Sequence, residues 1–91
     1  LAVKIILPAA LRRLCGGARE VFVQGATVQE LIRNLQDQYP DLRGRLCGGG
    51  GEIREFIRIF KNSEDTHFLR GGDTPVEDGD EVELVPAVLG G

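Results

Sequence analysis

The 91 residues contain no methionine, so Leu1 is expected to reflect processing, trimming or an alternative start and not a retained initiator. No apolar run approaches the roughly 18 residues that a membrane span requires. The apolar opening is broken by Pro8 and followed by Arg12-Arg13, which is wrong for a signal peptide. A soluble, cytoplasmic protein is therefore expected. Cysteine is scarce: Cys15 and Cys47 have no CxxC spacing, which argues against a disulfide framework or a zinc site and for small buried thiols. His67 is the only histidine; it lies near a turn with no nucleophile at a triad-like spacing, and a solvated or loop-packing role is expected. HExxH, GxSxG and GxGxxG are all missing. Carboxylates are plentiful, but they cluster in a turn and converge on no recognisable pocket, so an acid–base pair has no support. Surplus positive charge is missing too: the net charge is -3, and neither nucleic acid nor a membrane is an expected partner.

What is present suits one globular domain. The hydrophobic fraction is 42% and the charged fraction 27%. A chain of this size buries roughly two-thirds of its unfolded surface, so its stability is modest. Charge is distributed unevenly. Lys4, Arg12, Arg13 and Arg19 lie within the first nineteen residues, which contain no acid. Asp73, Glu77, Asp78, Asp80, Glu81 and Glu83 follow one another near the C-terminus without a base between them. Two readings of that stretch stand: it steers a basic partner toward the tail, or it is a solvated turn and edge strand.

Local patterns predict the elements. Val3, Ile5 and Leu7 alternate as one face of a strand that Pro8 stops, and Leu11 to Leu14 form a short helical turn. Gly16-Gly17 turns the chain into a second strand, Glu20 to Val23, with Val21 and Val23 inward. Thr27-Val28-Gln29-Glu30 is a capping box opening a helix whose apolar face is Val28, Leu31, Ile32, Leu35 and Tyr39; Pro40 ends it. One more turn over 41–46 points Leu42 and Leu46 inward. Gly48 to Gly51 read as a mobile loop, lacking the Lys and Ser/Thr of a phosphate cradle. The strongest strand is Ile53 to Phe60, followed by a polar turn and a short extended piece, Thr66 to Leu69. Asp78-Gly79 is a turn signal, and Glu81 to Val85 alternate with Val82 and Leu84 inward. Together these predict an α+β roll, one mixed sheet over one main helix, with the first and last strands parallel at its centre. The domain is expected to span 1–85, and a flexible tail 86–91.

The tail is the distinctive feature. Gly90 and Gly91 lack a Cβ, so the end of the chain, from Leu89 onward, can thread a narrow channel in extended form. The terminal carboxylate is ionised at neutral pH and can attack the α-phosphate of ATP. The resulting acyl adenylate has a good leaving group, and a sulfur or amine nucleophile can then take the acyl group. The alternative is a disordered terminus with no role. Within the strong strand, Ile57 and Ile59 suit the inner face, which leaves Phe56, Arg58 and Phe60 outside, joined by Phe22 from the hairpin. Such aromatic and Arg positions suit a partner-binding surface; in the opposite register the phenylalanines lie in the core.

Nearly the whole chain resembles the ubiquitin-like sulfur carriers of the molybdopterin synthase small-subunit family, in particular the branch that includes the carrier of bacterial cysteine biosynthesis. The resemblance rests on Val3-Lys4-Ile5, Leu11-Arg12, Gly16-Gly17, Gly25-Ala26-Thr27-Val28, Tyr39-Pro40, Glu64-Asp65, Phe68-Leu69 and Thr74-Pro75. It continues through Asp78-Gly79-Asp80-Glu81-Val82 and Val85-Pro86-Ala87-Val88 to Gly90-Gly91. It implies a β-grasp fold and a carrier with no activity alone, or the small subunit of a synthase complex. It further implies that an enzyme resembling ubiquitin-activating enzymes adenylates Gly91, using ATP that the carrier itself does not bind. Conversion to a thiocarboxylate and sulfur donation to an accepting synthase follow. Two positions depart from the family pattern. Leu89 replaces a common small residue and makes the tail more like that of ubiquitin, and Lys61 replaces an apolar strand residue, which a strand-end location would explain. Cysteine synthesis, molybdopterin synthesis, tRNA thiolation, conjugation to lysines through Gly91, and an inert-tailed binding module all stay open.

Overall fold

The alternation of Val3 and Ile5 with exposed or half-buried neighbours gives β1, Ala2–Ile6. Pro8, which has no N–H, stops it and serves as N-cap of a short helix α1, Ala9–Arg12, which continues as a 3-10 turn over Arg13–Cys15. The chain returns as β2, Glu20–Gln24, antiparallel to β1 with Val3 opposite Val23 and Ile5 opposite Val21. These two strands are the expected wide hairpin. The computed structural model describes residues 2–53 and 57–86.

Helix α2, Val28–Gln38, starts where the capping residues place it. The Glu30 amide donates to Thr27 Oγ1 at 3.2 Å, and Glu30 Oε1 accepts from the Ala26 amide at 3.0 Å. The reciprocal bond reaches one residue further back than in the usual box, and the same backbone is also tied to the 74–76 segment, with the Val28 amide donating to Thr74 O and Ala26 O accepting from the Val76 amide. Gly25 is needed just before it: a Cβ there would lie 2.9 Å from the Leu31 backbone nitrogen. Val28, Leu31, Ile32 and Leu35 are buried under the sheet, and Tyr39 packs partly on the same core. Pro40 opens a 3-10 turn, Pro40–Leu42, and both Leu42 and Leu46 are fully buried, as their pattern predicted.

The glycine run differs from expectation. It is a defined turn closing an isolated bridge between Cys47 and Ile53, with the Gly48 amide donating to Glu52 O at 2.7 Å. Two α2 side chains hold this loop: Gln36 Oε1 accepts from the Cys47 amide, and Gln29 Nε2 donates to Gly51 O. Gln29 and Gln36 are seven residues apart and therefore share a helix face, a long-range anchor that the low-complexity run itself does not signal.

Strand β3, Ile57–Lys61, turns through Asn62 and Ser63 into the two-residue β4, Glu64–Asp65. The expected extended piece after it is instead a 3-10 turn, Thr66–Phe68. Asp65 Oδ1 accepts from the His67 amide at 2.9 Å, and buried Thr66 Oγ1 donates to Ile59 O at 2.8 Å. Those side-chain bonds bend the backbone out of the sheet. A second 3-10 turn, Gly71–Asp73, precedes β5, Glu81–Pro86. β5 is parallel to β1 and antiparallel to β3. Among the described residues the sheet has five strands in the order β2-β1-β5-β3-β4, with β1 and β5 adjacent at its centre. This hairpin–helix–strand roll is a β-grasp fold. Lys61 is the last residue of β3; its Nζ donates to Pro75 O at 2.9 Å and lies 3.8 Å from Asp80, so a charge is accommodated at a position of inward parity.

Candidate functional site

Strand parity separates the two sheet faces. Ile59 is buried opposite Leu84, and half-buried Ile57 packs against the same core. Arg58 and Phe60 therefore point to the outer face, Arg58 exposed and Phe60 half-buried. The register is the one that the β-branched residues suggest, with Phe60 outside the core. Phe56 lies outside the described residues. Phe22 is 58% exposed and also on the outer face, but the structure sets it apart: it lies on edge strand β2 opposite Lys4, whereas Phe60 lies opposite Glu83. Three strand spacings, about 14 Å, separate β2 from β3.

The neighbours of Phe60 are different residues. Across the sheet one row reads Glu20, Ile6, Glu83, Phe60 and Asp65. The adjacent row pairs Val85 with Arg58. Ile6, Phe60 and Val85 are all half-buried, so they form the apolar part of this face. The sequence reading missed Ile6 and Val85 because their proximity to Phe60 depends on strand order and register. The only signal was their parity, opposite to Ile5 and Leu84.

Ion pairs thread the same surface. Lys4 Nζ lies 3.9 Å from Glu20 and 3.7 Å from Glu81, and Arg58 lies 3.1 Å from Asp65. The acidic stretch is thus divided in role. Asp78 Oδ1 accepts from the Ala2 amide at 3.0 Å, tying the 78–79 turn to β1. Asp80 Oδ2 accepts from the Glu77 amide at 2.7 Å, and this bond holds the Asp80 carboxyl below its ordinary value, with Asn62 and the Lys61 ammonium acting in the same direction against the opposing effect of burial. Glu81 belongs to the Lys4 pair. Glu83 is exposed and takes part in no ion pair among the described residues.

The remaining reactive groups assemble no catalytic centre among the described residues. His67 stands edge-on to Phe68, ring centroids 5.3 Å apart. Its backbone, not its imidazole, is what Asp65 binds. A cleft of about 440 Å³ opens beside it, floored by Val28, Ile53, Ile57 and Ile59; Asp65 and Thr66 also line it, but the Thr66 hydroxyl is bonded to Ile59 O and the Asp65 carboxylate to Arg58 and the His67 amide. Cys15 and Cys47 are both buried and neither is in a disulfide, and burial pushes the Cys15 thiol up, away from the reactive thiolate. No group of His, Cys, Asp or Glu among the described residues could hold a metal ion, and no helix there is long and apolar enough to cross a membrane.

Pro86, the last described residue, lies opposite Ile57, directly beside the Val85–Arg58 row. Leu89, Gly90 and Gly91 lie beyond it, outside the described residues. Residues 5–91 match the model of the ThiS family. The sulfur carrier protein CysO of Mycobacterium tuberculosis is 35% identical over 91 residues, covering 98% of both chains. The fold superposes on the crystal structure of the Amycolatopsis orientalis BexX/CysO complex with a TM-score of 0.87 and 36% identity, over 99% of this chain and 100% of that one. The solution structure of small archaeal modifier protein 1 from Methanosarcina acetivorans gives a TM-score of 0.87 at 31% identity, over 99% and 96% of the two chains.

Proposed function

We propose, for a chain that belongs to the ThiS family, that sulfur is carried on the C-terminal carboxylate of Gly91. The chain is a sulfur carrier of the CysO type. The observation that carries the finer reading is the extent of the family match, which runs through residue 91 and so includes Gly90-Gly91. In this reading an adenylating enzyme similar to ubiquitin-activating enzymes spends ATP to convert the Gly91 carboxylate to an acyl adenylate with release of pyrophosphate. A sulfur nucleophile then displaces AMP, leaving a thiocarboxylate. The carrier supplies no catalytic side chain and holds no cofactor. Its parts are the threading tail, Leu89-Gly90-Gly91, and the outer sheet face around Arg58 and Phe60, which the enzyme grips while the tail reaches its active site. A synthase then accepts the sulfur. Cysteine biosynthesis is the first pathway to test, given the branch that the chain resembles, with molybdopterin synthesis next.

Intact mass tests this directly. Incubation with ATP, the adenylating enzyme and a sulfur donor should add about 16 Da, because one oxygen is replaced by sulfur on an unchanged acyl group. A chain lacking Gly91 should gain nothing while melting at the same temperature. Normal sulfur loading of that shortened chain would reject the reading. A second reading follows from the likeness to a small archaeal modifier protein: the same adenylate is passed to a lysine amine, and ladders of larger conjugates would appear in place of the mass gain.

A further inference from the structure

The outer sheet face is apolar around a charge that no cation among the described residues neutralises. Glu83 sits between Ile6 on β1 and Phe60 on β3, with Val85 next on the same face of β5. Both outer-face cations among the described strand residues are already committed, Lys4 to Glu20 and Glu81 and Arg58 to Asp65. Among the described residues the other strand carboxylates of this face therefore have partners, and Glu83 does not. In water this costs little. Under a docked protein it would cost a great deal, because an unpaired carboxylate removed from solvent loses its hydration with nothing in return.

Reach places a protein over it. Five residues follow Pro86, and an extended chain spans at most about 3.6 Å per residue, so Gly91 lies within about 18 Å of Pro86. Glu83 is three strand residues before Pro86, about 10 Å away. An enzyme that encloses Gly91 in an active site and is wider than a few tens of Å has this face within its reach, and it is the face that α2 does not cover. This step rests on the reading that Gly91 is activated.

We propose that Glu83 selects the adenylating enzyme: the enzyme's docking surface presents one Arg or Lys side chain to Glu83, set within apolar contacts to Ile6, Phe60 and Val85. A purely apolar surface of the same shape is rejected, since it would strand the carboxylate. Arginine fits best, because its planar fork can meet both carboxylate oxygens.

Calorimetric binding of the full chain to its adenylating enzyme, without ATP, tests this apart from catalysis. Glu83→Lys should weaken binding by at least about tenfold and Glu83→Gln by less, as expected for a desolvated cross-interface charge pair. Asp41→Lys changes the net charge equally but lies exposed in the turn after α2, and should bind within about twofold of the parent, which separates local pairing from long-range steering. All three should melt like the parent chain, since both side chains are exposed. Unchanged affinity for Glu83→Lys, or an equal loss for Asp41→Lys, overturns the proposal even where ATP–pyrophosphate exchange on Gly91 proceeds. Exchange that never occurs, with binding intact and lost in Glu83→Lys, rejects the Gly91 reading and leaves the Glu83 contact standing. Absence of any binding by the parent chain overturns both.

Discussion

Asp80 shows how one residue of a charged stretch can be structural. Its carboxylate closes the turn before β5 by accepting from the Glu77 amide, and it also accepts from Asn62 Nδ2 at 3.1 Å. These bonds favour the charged form, so the folded-state pKa lies below the ordinary value of 3.8. A depressed carboxylate pKa contributes stability above the unfolded value that is lost as pH falls through the folded one. Asp80→Ala should therefore lose about 1 kcal/mol at pH 7, comparable to removing a helix cap. The gap to the parent chain should begin to narrow as pH falls toward 3.8 and close only through the still lower folded value, where Asp80 protonates in the folded chain. Chemical denaturation at a series of pH values checks this; a gap that stays constant into acid would mean the carboxylate charge is irrelevant. In the sequence, Asp80 and Glu83 are equivalent members of one acidic run. The Glu77–Asp80 clasp is local to that run; the reinforcement by Asn62 and Lys61, eighteen or more residues away, could not be read from the run itself.

At the scale of elements, what was legible is what is local. The α2 start follows from Thr27 and Glu30, its end from Pro40, and the inward faces of β1, β2 and β5 from alternation. What was missed depends mostly on partners elsewhere in the chain: the Gln29 and Gln36 anchors of the glycine turn, and the Thr66 bond to Ile59 O that joins the local Asp65–His67 bond in coiling 66–68. The β3–β4 turn is a further case. Asn62 and Ser63 both have positive φ, 48° and 73°, as a two-residue hairpin turn requires. Asn tolerates this region, and it is doubly held, since its amide donates to Glu81 O and its Oδ1 accepts from the Glu81 amide. Ser63 has no such compensation among the described contacts, and a left-handed conformation costs a residue with a Cβ roughly 1 kcal/mol. Ser63→Gly should thus raise stability by about 0.5–1 kcal/mol, relief of strain outweighing the added entropy of the unfolded chain. An unchanged or lower denaturation midpoint would show that Ser63 is not strained.

For the whole molecule, the sheet buries one face on α2 and leaves the opposite face uncovered by other elements of the described chain. The β-grasp order was legible because a hairpin, a capped helix and a final alternating strand admit few arrangements with a shared core. The composition of the free face was not, since its rows join residues from five strands. Phe60 tests which face matters for what. It is half-buried on the outer side, while its neighbour Ile59 is 5% exposed in the core. Ile59→Ala removes core methylenes and should cost about 2–5 kcal/mol of stability. Phe60→Ala leaves no cavity in the core and should cost less, about 1–2 kcal/mol, because the ring is only half-buried on the outer face. Partner binding should respond in the opposite sense. Truncating an aromatic at the centre of an interface typically costs about 1–3 kcal/mol of binding. The adenylating enzyme should therefore distinguish Phe60→Ala from the parent by roughly tenfold or more in affinity, while Ile59→Ala, measured per folded molecule, binds normally. Melting curves and calorimetric titrations of the two variants, run side by side, decide the matter. If Phe60→Ala unfolds the domain and the surviving folded fraction binds with parental affinity, the outer face is not where the partner sits.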